Sequence, residues 1–345
     1  MPSLDLSQYE DTIREKKKTV REEFSPFCDF RLVPSSITPG VTFAVKVTKP
    51  VKPAVIKAGT HGWHMSVKKF EPKTISDSPY LQLDIDMRGR AYSTGMPDCN
   101  GYELYDIFDA VNFARREYSN YISDPDVVYF ESGSGGGGNA LALAGKFPDL
   151  FCAINALVPI SDYYEWYIFD RLQEFRDEMD VWIGVDPAAN KEAYDARSGI
   201  TLVSNLLTHI FISHGTHDMR VPYFLTRNYM DACHKCGKSD LVTLLTLDGV
   251  GTREHYGNIS EEQMAEMKRL CRENLETHTI PVNIPPKGQF VVAGYLVTKH
   301  FSVFLSSLNQ IDIAEYDLTT KKISLQKSKD AKIVWNVSPD DHSLQ

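Results

Sequence analysis

No stretch of this chain approaches the ~18 consecutive apolar residues that a membrane-spanning helix requires. The amino terminus, MPSLDLSQYEDTIREKKK, lacks the apolar core of a secretory leader. A cytoplasmic chain without a membrane partner is the expectation, a leader removed beforehand being the alternative. Cysteine is scarce. Cys28, Cys99, Cys152, Cys233, Cys236 and Cys271 in 345 residues make no disulfide framework. Cys233-His-Lys-Cys236 is a lone pair inside a helical pattern, with no second pair downstream, so neither a zinc nor a redox site is expected there. Basic charge is in deficit. Against 46 Asp and Glu stand 37 Lys and Arg, a net charge of −9, which removes the clustered positive surface that nucleic acid needs. Lys16-Lys17-Lys18 is followed by Arg21-Glu22-Glu23 and reads as a solvated helix face. There are no internal repeats, and the one low-complexity tract is the glycine run at 135–138.

What remains is ordinary in composition and long enough for one large α/β domain with an appendage, or for two domains. Residues 1–28 read as a charged, peripheral helical extension. From 29 to 280 short apolar strands alternate with helical patterns. The strands are Phe30–Val33, Thr42–Val47, Ala54–Ala58, Leu81–Asp86, Val127–Glu131, Cys152–Val158, His209–Ser213 and Val242–Leu247. Residues 102–119, Asn139–Lys146 and 261–276 carry helical spacing. Such alternation means βαβ units and a mostly parallel sheet. Aromatic-rich sequence at 163–198 reads as a cap. After the break Ile280-Pro-Val-Asn-Ile-Pro-Pro, residues 288–345 carry short strands without helices: a small C-terminal all-β appendage, or an extension of the main sheet. It would bind glycans or form a homo-oligomer interface.

The most informative segment is Val127-Val-Tyr-Phe-Glu-Ser-Gly-Ser-Gly-Gly-Gly-Gly-Asn-Ala. A strand runs into small residues and then a helix, as in a nucleophile elbow, where a strained turn lifts a serine above the sheet. Around Ser134 the crowded positions two before and two after are Ser132 and Gly136, so Ser132 stands where glycine is commoner. The same letters admit a rival, because Gly133 to Gly138 match GxGxxG between a strand and a helix, as a dinucleotide site requires. No Gly-Lys-Ser/Thr follows, which excludes a P-loop.

Downstream residues bear on the choice. His209-Ile-Phe-Ile-Ser-His-Gly-Thr-His-Asp218-Met-Arg-Val-Pro places Asp218 just past a strand. Leu244-Leu-Thr-Leu-Asp-Gly-Val-Gly-Thr-Arg-Glu-His255 supplies a histidine in a loop after the next one. Ser, Asp, His is the α/β-hydrolase order. Beyond these, Lys146-Phe-Pro-Asp-Leu-Phe-Cys-Ala, Pro159-Ile-Ser-Asp-Tyr, the Asp186–Ser198 segment and His214-Gly-Thr-His-Asp-Met-Arg-Val-Pro all match one group. From about residue 54 to 260 the chain resembles the catalytic domain of prolyl-oligopeptidase-like α/β hydrolases.

That resemblance implies Ser134 as nucleophile, Asp218 as acid and His255 as base. It also implies an oxyanion hole from the Trp63 and Gly135 N–H groups, Trp63 following the Gly59-Thr-His61-Gly62 turn. No cofactor or metal is called for. Asp86-Met-Arg88-Gly89 resembles the family's Asp-x-Arg-Gly loop and is taken as structural. Only about 50 residues precede the hydrolase region, too few for the peptidases' propeller. Paired glutamates to grip a peptide amino terminus are not evident. The expectation is therefore a serine esterase acting on a small-molecule ester, on a carbohydrate or aryl group. His61, Tyr163, Tyr164, Trp166 and Trp182 are candidate pocket residues, though aromatics at helical spacing are more often core. The alternatives are a serine peptidase on short peptides, and a nucleotide-dependent enzyme or binding protein using the glycine run.

Overall fold

The computed structural model describes residues 27–60, 63, 78–170, 173 and 175–336. Of the helical extension expected over residues 1–28, residues 1–26 lie outside them, and Cys28 already opens a strand.

Eight strands form the central sheet: β1 (Cys28–Pro34), β2 (Thr42–Thr48), β3 (Ile56–Thr60), β4 (Leu81–Asp86), β5 (Val128–Gly133), β6 (Ala153–Leu157), β7 (His209–Gly215) and β8 (Val242–Leu247). Their order is β1-β2-β4-β3-β5-β6-β7-β8. The first two pairings, β1 with β2 and β2 with β4, are antiparallel, and every later one is parallel. This is an α/β-hydrolase sheet, as the alternating strand and helix patterns imply.

Strand periodicity sorts side chains onto two faces. Val128, Phe130, Ile154, Ile210 and Ile212 point to one side. There they meet α1 (Glu103–Glu117) and α2 (Gly135–Lys146). Leu104, Ile107, Val111 and Ala114 fall on one stripe of α1, and this stripe is the buried one. Tyr129 and Phe211 point to the other side, towards Leu275 and Met267 of α7 (Glu261–Thr277). That helix starts at a capping box, Ser260 with Gln263, and its remaining surface is charged. Between β6 and β7 the cap contains three short helices, α3 (Tyr163–Phe169), α4 (Arg176–Ile183) and α5 (Lys191–Asp195). A further helix, α6 (Phe224–Lys235), follows β7.

The C-terminal segment is a separate antiparallel sheet, not an extension of the first. Its strands are β9 (Lys287–Ala293), β10 (Tyr295–Val297), β11 (Phe301–Phe304), β12 (Ile311–Asp317), β13 (Lys322–Leu325) and β14 (Lys332–Trp335). They run in the order β13-β12-β9-β10-β11-β14. Gly294 at φ +72° separates β9 from β10 and lets the chain double back between them. One face of the sheet encloses its own core of Phe290, Val292, Leu296, Phe301 and Tyr316. The other sends Tyr295 and Val297 into the main core. Tyr295 donates its hydroxyl proton to the Gly101 carbonyl at 2.9 Å. The fully buried Lys146 ammonium, at the end of α2, donates to the Ala293 carbonyl.

Candidate active site

Ser134 sits between β5 and α2 with φ 58° and ψ −122°, a conformation that a non-glycine residue adopts only under strain. The turn exists because its neighbours leave room for it. A Cβ on Gly136 would overlap the Ser132 Oγ and stand 2.7 Å from the Thr60 Oγ1. Ser132 is tolerated in place of glycine because its hydroxyl has a fixed partner, donating to the Thr60 carbonyl at 2.6 Å. The Ser134 amide donates to the Leu157 carbonyl of β6 at 2.9 Å, tying the elbow to the sheet.

Asp218 follows β7. Its buried carboxylate accepts from the Arg220 and Val221 amides, both at 2.9 Å on Oδ1. The other oxygen, Oδ2, lies 2.7 Å from His255 Nδ1. The loop carrying His255 is laid against the Asp218 loop by two backbone bonds, His217 N–H to the Val250 carbonyl and Met219 N–H to the Thr252 carbonyl. So close an approach requires Gly251, at φ +116°, where a Cβ would overlap the Asp218 amide. His255 Nε2 then lies 2.8 Å from Ser134 Oγ. With a carboxylate at Nδ1, the neutral imidazole carries its proton there and presents Nε2 as an acceptor to the serine. Below this loop His214 is fully buried, its Nε2–H donating to the Val221 carbonyl at 2.8 Å. Burial pushes its pKa down to about 4, so it stays neutral under Asp218.

Trp63 and Gly135 also come together. A Cβ on Gly135 would stand 3.0 Å from the Trp63 amide nitrogen. The Gly135 N–H belongs to the first turn of α2, whose leading amides have no partner within the helix.

The pocket expectation requires correction. Tyr163, Trp166 and Trp182 are buried, and their rings surround Trp63 at centroid distances of 6.1, 5.2 and 4.9 Å. Phe175 adds a fourth contact at 5.7 Å. These aromatics are core that immobilises Trp63, and they leave almost no surface for a ligand. Tyr164 is half-buried with the Lys191 ammonium over its ring. His61 lies outside the described residues. The dinucleotide reading also loses its ground. Gly135, Gly136, Gly137 and Gly138 are packed against Trp63, Ser132, the Leu157 carbonyl and the Tyr163 hydroxyl, so the run seats the first turn of α2 closely, and the turn that leads into it presents Ser134 to His255.

Sequence reasoning missed three residues. Thr60 holds Ser132 and donates to Asn139 Oδ1 at 3.0 Å. Glu178 of α4 accepts from the Trp63 indole N–H. Arg90, just past the Asp-x-Arg-Gly loop, donates from Nε to the Trp63 carbonyl at 3.0 Å. Only Arg90 carried a signal, as a second arginine beside that motif.

A serine, a histidine and a buried aspartate joined by hydrogen bonds above a sheet of this order define an α/β hydrolase. Residues 66–271 match the model of the prolyl oligopeptidase family, and the chain belongs to this family of serine hydrolases. A curated relative is a probable carboxylic ester hydrolase of Mycobacterium tuberculosis. It is 27% identical over 154 residues, which cover 40% of this chain and 35% of that protein. Among solved structures, an acylaminoacyl peptidase of Pyrococcus horikoshii matches 76% of this chain and 42% of its own, with 20% identity and a TM-score of 0.60. A puromycin hydrolase matches 76% and 43%, with 14% identity and a TM-score of 0.59. At such identities these structures speak for the fold, and the matched part spans less than half of each relative. Among the described residues no helix is long and apolar enough to cross a membrane.

Proposed function

We propose that the protein is a serine hydrolase that cleaves a carboxylic ester through an acyl-enzyme on Ser134. The observation that carries this reading is the unbroken contact chain from Ser134 Oγ to His255 to Asp218, at 2.8 and 2.7 Å. His255 Nε2 takes the serine proton as Oγ attacks the acyl carbonyl, and Asp218 holds the ring and stabilises its cationic form. The Trp63 and Gly135 N–H groups face the oxygen on which charge develops, and losing one such donor typically costs ~100-fold or more in rate. The imidazolium returns its proton to the departing alkoxide, and water then repeats the attack with His255 again as base.

Support for an ester comes from the relative named as a carboxylic ester hydrolase. Aryl and carbohydrate esters are the first to test. The second reading, a peptidase on short peptides, draws on structures named as peptidases.

The test is labelling by a fluorophosphonate probe, with para-nitrophenyl acetate and a peptidyl anilide as competing substrates. Labelling in wild type, retained in Ser132→Ala and lost in Ser134→Ala, is the expected result. Unlabelled folded wild type refutes the proposal. Anilide turnover at comparable kcat/KM moves the assignment to a peptidase.

A further inference from the structure

We infer that Arg90 is a positioning residue for the oxyanion hole, aiming the Trp63 N–H by holding the carbonyl of the same residue. The inference rests on the proposed role of Trp63. Arg90 has 4% of its surface exposed, yet its guanidinium does not lie idle in the core. Nε donates to the Trp63 carbonyl at 3.0 Å, and Nη1 donates to Glu103 Oε2 at 2.9 Å. Its Cζ lies 5.4 Å from the centre of the Trp182 ring, which stacks on Trp63. Glu103 is itself fixed in the first turn of α1, where its Oε1 accepts from the Asn100 amide at 2.8 Å. A rigid fork thus runs from α1 through Arg90 to the main chain of Trp63.

Two dihedrals, φ and ψ, separate the carbonyl of a residue from its own N–H. Trp63 has its carbonyl held by Arg90, its indole N–H by Glu178 and its ring by Tyr163, Trp166, Phe175 and Trp182. With side chain and carbonyl both fixed, the Trp63 amide nitrogen is held in place beside Gly135, and rotation about its own N–Cα bond is the one freedom left between the carbonyl and the N–H. Planarity makes arginine the fitting residue: one group serves the carbonyl and the carboxylate from different nitrogens, where a lysine has one ammonium. Such an amide acts on the charge that develops during reaction, so its misalignment falls on kcat and spares KM.

Two variants separate positioning from charge balance. Arg90→Lys keeps a cation for Glu103 and gives up the fork, while Arg90→Met with Glu103→Gln removes both charges and leaves no buried ion unpaired. Para-nitrophenyl acetate turnover is measured alongside the inhibition constant of a phenyl trifluoromethyl ketone, which forms a tetrahedral adduct with an activated serine. In both variants kcat is expected to fall roughly 10- to 30-fold, less than for outright loss of a donor. KM should stay within about twofold, and ketone affinity should weaken by the same factor as kcat. Wild-type kcat in folded Arg90→Lys, a loss confined to KM, or ketone affinity unchanged while kcat falls would each overturn the inference. Wild type that neither turns over the ester nor reacts with the fluorophosphonate overturns the reading of the site itself. Wild type that does both, with unaffected variants, overturns only the role of Arg90.

Discussion

Replacing Lys146 with methionine should make the stability of the protein less dependent on pH in the alkaline range, and the structure gives the size of the effect. Lys146 ends α2, the helix that begins beside Ser134, and its ammonium is buried against the Ala293 carbonyl and 4.7 Å from the Tyr295 ring centre. Burial, assisted by the nearby Arg197 and opposed by Asp98, lowers its pKa from 10.5 to about 7. The unfolded chain keeps this proton up to its ordinary pKa, whereas the folded chain releases it near 7. Between those limits the unfolded state binds more protons, so wild-type stability rises with pH at about 1.4 kcal/mol per unit. Below pH 7 the cost of burial is present in full, on the order of 5 kcal/mol. Methionine removes that cost and leaves the Ala293 carbonyl without its donor, a loss of about 1–3 kcal/mol. The variant should therefore be the more stable protein at pH 7, by roughly 1–3 kcal/mol, and the less stable one near pH 10, crossing close to pH 9. Guanidinium unfolding of both proteins, followed by circular dichroism at several pH values, reads the difference directly. A difference that stays constant from pH 7 to 10 would refute the reasoning.

Three other outcomes are expected. Asp218→Asn should leave the fold intact and lower ester turnover by about 10⁴, because the amide favours the wrong imidazole tautomer; steady-state kinetics would show this, and a loss under tenfold would count against the role. Gly136→Ala should destabilise strongly, its methyl overlapping the Ser132 hydroxyl, and adding Ser132→Gly should recover part of the loss in a thermal melt. Tyr229→Phe should be neutral or stabilising by up to ~1 kcal/mol in the same assay, because the buried Tyr229 hydroxyl has no hydrogen-bond partner among the described residues.

The parts legible in the sequence were those set by neighbouring residues. β5 into Ser134 into α2 is one run of chain, and its alternation of apolar and small residues needs no distant partner to be read. The same holds for the strand-then-loop signatures of Asp218 and His255, which the fold order makes meaningful. The helical spacing of Tyr163, Trp166 and Trp182 was equally visible, but it reads alike for residues facing a ligand and residues facing core.

What only the tertiary structure decided is which distant groups meet. Trp63 captures those three rings from 100 or more residues away, and with them the surface that a pocket would have used. Arg90 and Glu103 belong to a loop and a helix whose local patterns say nothing about the Trp63 carbonyl. Lys146 ends α2, and it is Ala293 and Tyr295 of the second sheet, nearly 150 residues on, that close over its ammonium. Backbone preference and hydrophobic period are local, and so they survive in one dimension. Burial is a property of the partner as much as of the residue, and the partner is chosen only when the two sheets and the cap pack together.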